Sequence, residues 1–210
     1  MNLTQFLENN NVILIKHQCE GYSQQIPEQE VHLQSLIGSP DIKYALEIGF
    51  NAGHSAEIFL EKNPNVKLFS FDVGHYPYVS LAKKYIDQKY PNRHTLILGN
   101  STMAIPQFFE NFHMKFDLIF IDGGHEYETA KADLQNCALL AHSKTMVLFD
   151  DTVHDIQNQE FWNVGPTNVW NESIKNLFIT QLGSQDYCKG RGMSWGYYNL
   201  KETPWVSPLA

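Results

Sequence analysis

The sequence predicts an α/β fold, a mostly parallel seven-stranded sheet with helices on both faces and an antiparallel strand at its end. Three observations point there. From residue 44 onward, short apolar runs alternate with longer amphipathic stretches, the mark of βαβ units whose parallel strands are buried on both faces. Near the end, two strand-like runs follow each other with only polar, glycine-bearing residues between them, as in an antiparallel pair. The 210 residues are 43% hydrophobic and 13% aromatic, enough apolar material for one large core.

Each element follows from its local pattern. A polar helix is expected over residues 4–10, an apolar piece over 12–15, and a second helix over 27–37, where Pro27 suits a first turn. Residues 1–42 therefore read as an N-terminal helical lid, inferred from their place before the first strand, and 43–210 as one compact domain. Strands are expected over 44–48, 67–71, 95–98, 116–121 and 145–149, with helices over 53–62, 78–90, 103–109 and 127–141 between them. A helix over 168–176 then leads into the terminal pair, 177–182 and 194–200.

Charge excludes several functions. The net charge is −8, and the only arginines are Arg93 and Arg191. Nucleic-acid binding needs a basic footprint to displace counterions, so nucleic acid is not an expected partner, nor is an anionic membrane. The sequence contains no apolar run long enough to span a bilayer, and its first residues lack the basic-then-apolar pattern of a secretory signal. Cys19, Cys137 and Cys188 form neither a disulfide framework nor a zinc motif. A cytoplasmic setting is the simplest expectation, and a homodimer is compatible with the sequence.

The chemistry concentrates at strand ends. Residues 47–55, Glu-Ile-Gly-Phe-Asn-Ala-Gly-His-Ser, close the first strand and open a helix. Glycine there permits a tight turn and close approach to a ligand. The pattern is not the dinucleotide fingerprint G-x-G-x-x-G, because Asn51 takes the middle position, and no phosphate-binding Gly-Lys-Ser/Thr follows. Glu47 could accept hydrogen bonds from a cationic amine or from loop amides. An ordinary strand–turn–helix junction with incidental glycines is the other reading. Asp72 ends the second strand, 23 residues beyond Gly49. It suits ribose hydroxyls, or it caps a helix.

Residues 47–55, Asp72 and Gly99-Asn100-Ser101 resemble the cofactor motifs of class I S-adenosylmethionine-dependent methyltransferases. Residues 120–127, Phe-Ile-Asp-Gly-Gly-His-Glu-Tyr, resemble a small-molecule and sugar O-methyltransferase branch related to the catechol type. The resemblance covers about residues 43–176 and implies a Rossmann-like sheet of strand order 3-2-1-4-5-7-6 with strand 7 antiparallel. It implies that Gly49, Asn51, Gly53 and Ser55 surround the methionine part of the cofactor, that Asp72 takes the ribose, and that Asn100 and Ser101 lie near the adenine, with Glu47 a further cofactor-binding candidate. Asn100 stands where relatives often have Asp.

Three carboxylates follow the fourth and fifth strands, Asp122, Asp150 and Asp151. Neighbouring strands lie about 4.8 Å apart, so these like charges would repel and raise one another's pKa. A divalent cation would relieve the conflict, and all-oxygen ligands suit Mg²⁺, or Mn²⁺ or Ca²⁺. The metal-dependent relatives resembled place ligands at these positions, and Asp122 also borders the cofactor. The same residues could instead cap turns. Relatives of the sugar type carry an Asp where this chain has Gly124, which leaves the general base to His125 or His154. Either histidine could equally be a helix-terminal or loop residue. Phe161, Trp162 and Trp170 could form an aromatic wall for the acceptor, or a satellite hydrophobic cluster. The expected function is metal-assisted O-methylation of a hydroxylated small molecule. Its rivals are metal-free methyl transfer, cofactor binding without catalysis, and a nucleotide-dependent oxidoreductase that Asn51 disfavours.

Overall fold

The computed structural model describes residues 2–10, 12 and 23–200. Two helices, α1 (Leu3–Asn9) and α2 (Pro27–Ile37), precede the sheet. Alternation then runs β1 (Tyr44–Ile48), α3 (His54–Lys62), β2 (Lys67–Asp72), α4 (Tyr78–Lys89), β3 (His94–Leu98), α5 (Ser101–Phe112), β4 (Phe116–Ile121), α6 (Tyr127–Cys137) and β5 (Ala141–Asp150). The chain finishes with α7 (Val164–Lys175), β6 (Ile179–Asp186) and β7 (Gly192–Tyr198). The seven strands stand in the order β3-β2-β1-β4-β5-β7-β6. β7 runs antiparallel to both β5 and β6, and the other pairings are parallel. The seven-stranded Rossmann-like architecture expected from the sequence is therefore present.

Strand alternation divides the core in two. Leu118, Phe120 and Leu148 face one layer with Leu3, Leu33 and Phe59. Ile119, Ile121 and Phe149 face the other with Ile105, Leu134 and Trp170. Each fully buried side chain of this size contributes about 1.5–3 kcal/mol relative to exposure. Leu3, Leu7, Leu33 and Ile37 are wholly buried in the first layer, where α1 packs on α4 and α2 on α3. The described part of segment 1–42 is thus a component of the core. Of the apolar piece expected at 12–15 only Val12 is described, and Cys19 also lies outside the described residues.

Several boundaries differ from their sequence expectation: β5 begins at Ala141, before the expected 145, and α6 ends at Cys137, before the expected 141. α5 starts at Ser101 and continues past Pro106 to Phe112. Proline removes one helical N–H, and the Thr102 carbonyl accepts instead from Asn136 Nδ2 at 3.2 Å. α7 begins at Val164, with Pro166 in its first turn, where the missing N–H has no helical partner to lose. Leu177 adopts φ +57° and the Phe178 N–H donates to the Ser173 carbonyl at 2.8 Å. This closes the helix and delays the strand to Ile179. No helix among the described residues is long and apolar enough to cross a membrane.

Candidate active site

Parallel strands that end in register place their following loops side by side. Ile48 pairs with Phe71 and Ile121, and Ile121 with Phe149, so the loops after β1, β2, β4 and β5 share one edge of the sheet. A cavity of about 770 Å³ opens there. Its walls include Gly49, Asn51, Asp72, Asn100 and Ser101 from the β1–β3 side, and Asp122, His125, Asp151, Trp162 and Arg191 from the β4–β7 side. No described residue of segment 1–42 lines it.

The glycine loop is shaped by packing. At Gly49 (φ +93°) an added Cβ would stand 1.8 Å from the Asp122 carbonyl oxygen. Only glycine allows the β1 and β4 termini to approach this closely. Asn51 follows in the left-handed region (φ +48°). Its N–H donates to Asp72 Oδ2 at 2.7 Å, and its Oδ1 accepts from the Tyr78 hydroxyl at 2.7 Å. The Gly74 N–H donates to Asp72 Oδ1 at 2.7 Å. Asp72 is thereby fixed at the cavity wall, with a further lone pair on each oxygen for a ligand.

Beneath the loop lies a buried polar chain. Glu47 is wholly buried. It accepts from the Ser55 hydroxyl on one oxygen and from the Ser70 hydroxyl on the other. Ser70 Oγ stands 2.9 Å from His94 Nε2. Burial raises the Glu47 pKa to about 7 against the pull of these two hydroxyls, and the Asp122 and Asp72 charges add to the rise. Glu47, Gly53 and Ser55 do not line the cavity. They hold the loop from below, and Gly53 (φ +82°) sits where a Cβ would press on the Phe50 ring at 3.1 Å. At the far side of the loop, the Asn100 side chain caps α5, accepting from the Thr102 N–H at 3.0 Å.

Across the cavity, Asp122, His125 and Asp151 converge, each offering a ligand atom within 4.8 Å of the others. His125 Nε2 lies 2.8 Å from Asp151 Oδ2. The guanidinium of Arg191, from the β6–β7 connection, lies 3.3 Å from Asp151 Oδ1 and 5.5 Å from the centre of the Trp162 ring. Asp151 holds a left-handed conformation (φ +56°), a strained choice for a non-glycine residue that is characteristic of functional sites.

Asp150 does not join this group. Side chains alternate along a strand, so after Phe149 the Asp150 carboxylate returns to the first core layer. There both of its oxygens accept from Gln29 Nε2 of α2, at 2.8 and 3.0 Å. Burial first, then the Asp122 and Asp151 charges, push its pKa well above the usual carboxylate range. The geometry therefore assembles Asp122, His125 and Asp151 where the sequence suggested Asp122, Asp150 and Asp151. His154 is exposed and does not line the cavity. Its N–H donates to the Asp186 carboxylate at 2.9 Å and its Nε2 lies 3.4 Å from Ser194 Oγ. Phe161 and Trp162 line the cavity, whereas Trp170 is a core residue that stacks on Phe149 and donates to Gln181 Oε1 at 2.6 Å. Arg191 was not singled out from sequence as a site residue, because nothing local marks an arginine 40 residues from Asp151.

Known proteins share this fold. The chain matches the family described as "Methyltransferase domain" over residues 46–152, just over half its length. It is similar in structure to the O-methyltransferase of Bacillus cereus in complex with S-adenosylhomocysteine, at 15% identity and TM-score 0.73, covering 93% of this chain and 90% of that one. It is also similar to the O-methyltransferase TomG of Streptomyces achromogenes with S-adenosylmethionine (14%, TM-score 0.69, 93% and 87% covered). A third likeness is to the S-adenosylhomocysteine-bound methyltransferase PaMTH1 of Podospora anserina (16%, TM-score 0.65, 93% and 87% covered). No curated relative matches the chain. The family match spans the glycine loop, Asp72, Asp122 and both strand-end aspartates, and by it this chain belongs to the methyltransferase-domain family as an S-adenosylmethionine-dependent methyltransferase.

Proposed function

We propose that the protein methylates a hydroxyl group of a small molecule, assisted by a divalent metal held by Asp122, His125 and Asp151. The observation that carries this reading is the convergence of those three side chains in the cavity that also contains Asp72. Donors within 4.8 Å of one another need only a small contraction to reach bonds of about 2.0–2.2 Å to a common ion. Arg191 lies against Asp151, so an incoming ion would share that carboxylate with the guanidinium. An imidazole donor favours Mn²⁺ or another transition ion over Mg²⁺, a change from the all-oxygen set first expected. A bound ion would act as a Lewis acid that lowers the pKa of an acceptor hydroxyl.

The chain's own residues would do the rest. Asp72 would accept from the ribose hydroxyls, Asn100 and Ser101 would border the adenine, and the Gly49–Asn51 backbone would approach the methionine part. Phe161 and Trp162 would cover the acceptor and limit water, leaving the acceptor oxygen to meet the sulfonium methyl in line. The structural neighbours named as O-methyltransferases support an oxygen acceptor.

One contact supports a metal-free reading. With Asp151 bonded to Nε2, His125 would present Nδ1 as a base that removes the acceptor proton. Methyl transfer to a panel of vicinal diols, assayed with and without EDTA, separates the two. Activity lost in chelator and restored by Mn²⁺ supports metal assistance. Activity unchanged in chelator but lost in His125→Ala supports the dyad. Cofactor binding with no turnover on any acceptor would leave neither.

A further inference from the structure

Arg191 reaches the cavity from the turn between β6 and β7, and its side chain is only 16% exposed. Among the described residues that line the cavity it is the sole lysine or arginine, against Asp72, Asp122 and Asp151. Asp151 is buried and has a ligand atom within 4.8 Å of one on Asp122. Two carboxylates this close repel, and a buried one stripped of its cation is costly. The Arg191 guanidinium supplies that cation.

The turn that carries it is fixed independently of Asp151. Asn163 is wholly buried. Its Nδ2 donates to the Gly190 carbonyl at 2.8 Å and to the Asn158 carbonyl at 3.0 Å, and its Oδ1 accepts from the Glu160 N–H at 2.9 Å. The Tyr187 N–H donates to the Arg191 carbonyl at 2.7 Å, and the Thr152 N–H to the Gly192 carbonyl at 3.1 Å. The backbone around Arg191 is thus tied to the loop that carries Trp162. The side chain is held less firmly. Its Nη1 stands 3.3 Å from Asp151 Oδ1, long against the roughly 2.7–2.9 Å of a strong charge-assisted bond, whereas His125 Nε2 lies 2.8 Å from the other oxygen. The Trp162 ring, 5.5 Å from the guanidinium carbon, offers a second resting place, within the ~6 Å at which a cation is drawn to an aromatic face.

We propose that Arg191 is an exchangeable counter-cation, which neutralises Asp151 until a divalent ion enters between Asp122, His125 and Asp151, then gives up the carboxylate and rests on Trp162. Ion and guanidinium compete for one oxygen, so the affinity of the site for an ion is set in part by how the β6–β7 turn presents Arg191. The turn is anchored through Asn163 rather than through Asp151, so the cavity wall keeps its place in both states. Arginine suits the exchange because its guanidinium is always charged, weakly hydrated and able to stack on an aromatic ring. The inference rests on the metal reading proposed above.

The test is calorimetric titration of Mn²⁺ into the full chain and into Arg191→Gln. If the guanidinium only orients Asp151, its removal should weaken ion binding, typically by about 10–100-fold for such a neighbour. Competition predicts the opposite sign, an affinity higher by about tenfold or more on the same scale. Unchanged or weaker binding overturns the proposal. A second measurement keeps the test decisive if the variant does not fold. The chain has two arginines, and Arg93 is bonded to the carbonyls of Leu60, Asn63 and Val66, so NMR of the full chain with labelled guanidinium groups carries its own reference. On adding Zn²⁺, a diamagnetic ion that takes the same donors, the Arg191 resonance should move and that of Arg93 should stay. An Arg191 resonance that does not respond to saturating Zn²⁺ overturns the proposal. Mn²⁺ binding by neither protein would instead overturn the metal reading on which it rests.

Discussion

Two adjacent aspartates should behave in opposite ways. Asp151 bonds His125 Nε2 at 2.8 Å and Arg191 at 3.3 Å and is nearly inaccessible. Each charge-assisted hydrogen bond of this kind is worth about 1.5–3 kcal/mol. Asp151→Asn removes the charge that both partners answer, so metal affinity should fall by more than the roughly 10–100-fold typical of an outer-shell change, and methyl transfer with it. Asp150 accepts from Gln29 at 2.8 and 3.0 Å, and burial pushes its pKa well above the usual carboxylate range. An asparagine there has the same shape and no charge, and Gln29 Oε1, unpartnered among the described residues, can accept from the new amide after a flip. Asp150→Asn should therefore leave stability within about 1 kcal/mol, the range of one net hydrogen bond, and activity within about threefold. The assay is methyl transfer across a Mn²⁺ titration, paired with denaturant unfolding of each variant. If Asp150→Asn loses metal affinity as Asp151→Asn does, the assignment of the two faces is wrong and the pair acts as a unit.

Asp72→Ala removes a carboxylate fixed by Asn51 and Gly74; S-adenosylhomocysteine binding, read by calorimetry, should weaken by about 1.5–3 kcal/mol, and unchanged affinity would refute the ribose assignment. Glu47 keeps its proton to about pH 7 in the folded state and releases it near 4.5 otherwise, so the fold binds the extra proton between those values and loses stability as pH rises through them, by up to about 3 kcal/mol. Glu47→Gln should flatten that part of the stability curve, measured by thermal unfolding from pH 4.5 to 8, and a difference between the two proteins that is constant with pH would contradict this. Gly49→Ala places a methyl 1.8 Å from the Asp122 carbonyl at φ +93°; it should destabilise by about 2 kcal/mol or more and weaken cofactor binding, both absent if the loop can shift.

What could be read in advance depended on how local the cause was. The strands were legible because a strand buried on both faces is a continuous apolar run, and 116–121 and 44–48 matched β4 and β1 at both ends. The loop after β1 was legible because Gly49 answers a backbone contact that no other residue tolerates. The starts of α5 and α7 were expected two and four residues late, and Pro106 and Pro166 sit where a side-chain amide or a first turn accommodates the missing N–H. The facing of Asp150 and Asp151 was not legible. It depends on a left-handed backbone at Asp151, which a residue other than glycine does not announce. His154 was attractive because it is close in sequence to the aspartates, yet its ring lies against Ser194. Arg191 was invisible for the converse reason, because only the terminal hairpin brings it to Asp151.

The division of labour along the sheet edge explains why one short loop should govern both halves of the reaction. The β1–β3 loops carry Asp72, Asn100 and Ser101, while the β4–β7 loops carry Asp122, His125, Asp151 and Arg191. The two sets meet where Gly49 lies against the Asp122 carbonyl and the Asp122 N–H donates to the Ile48 carbonyl at 3.0 Å. Methyl transfer needs its donor and acceptor aligned to within a fraction of an ångström, and this contact joins the groups proposed to hold them. A displacement there moves Asp122 relative to Asn51 and Asp72. Loop variants at residue 49 should therefore lower kcat even where cofactor can be forced to bind at high concentration, whereas Asp72→Ala, which leaves the contact intact, should be rescued by saturating cofactor.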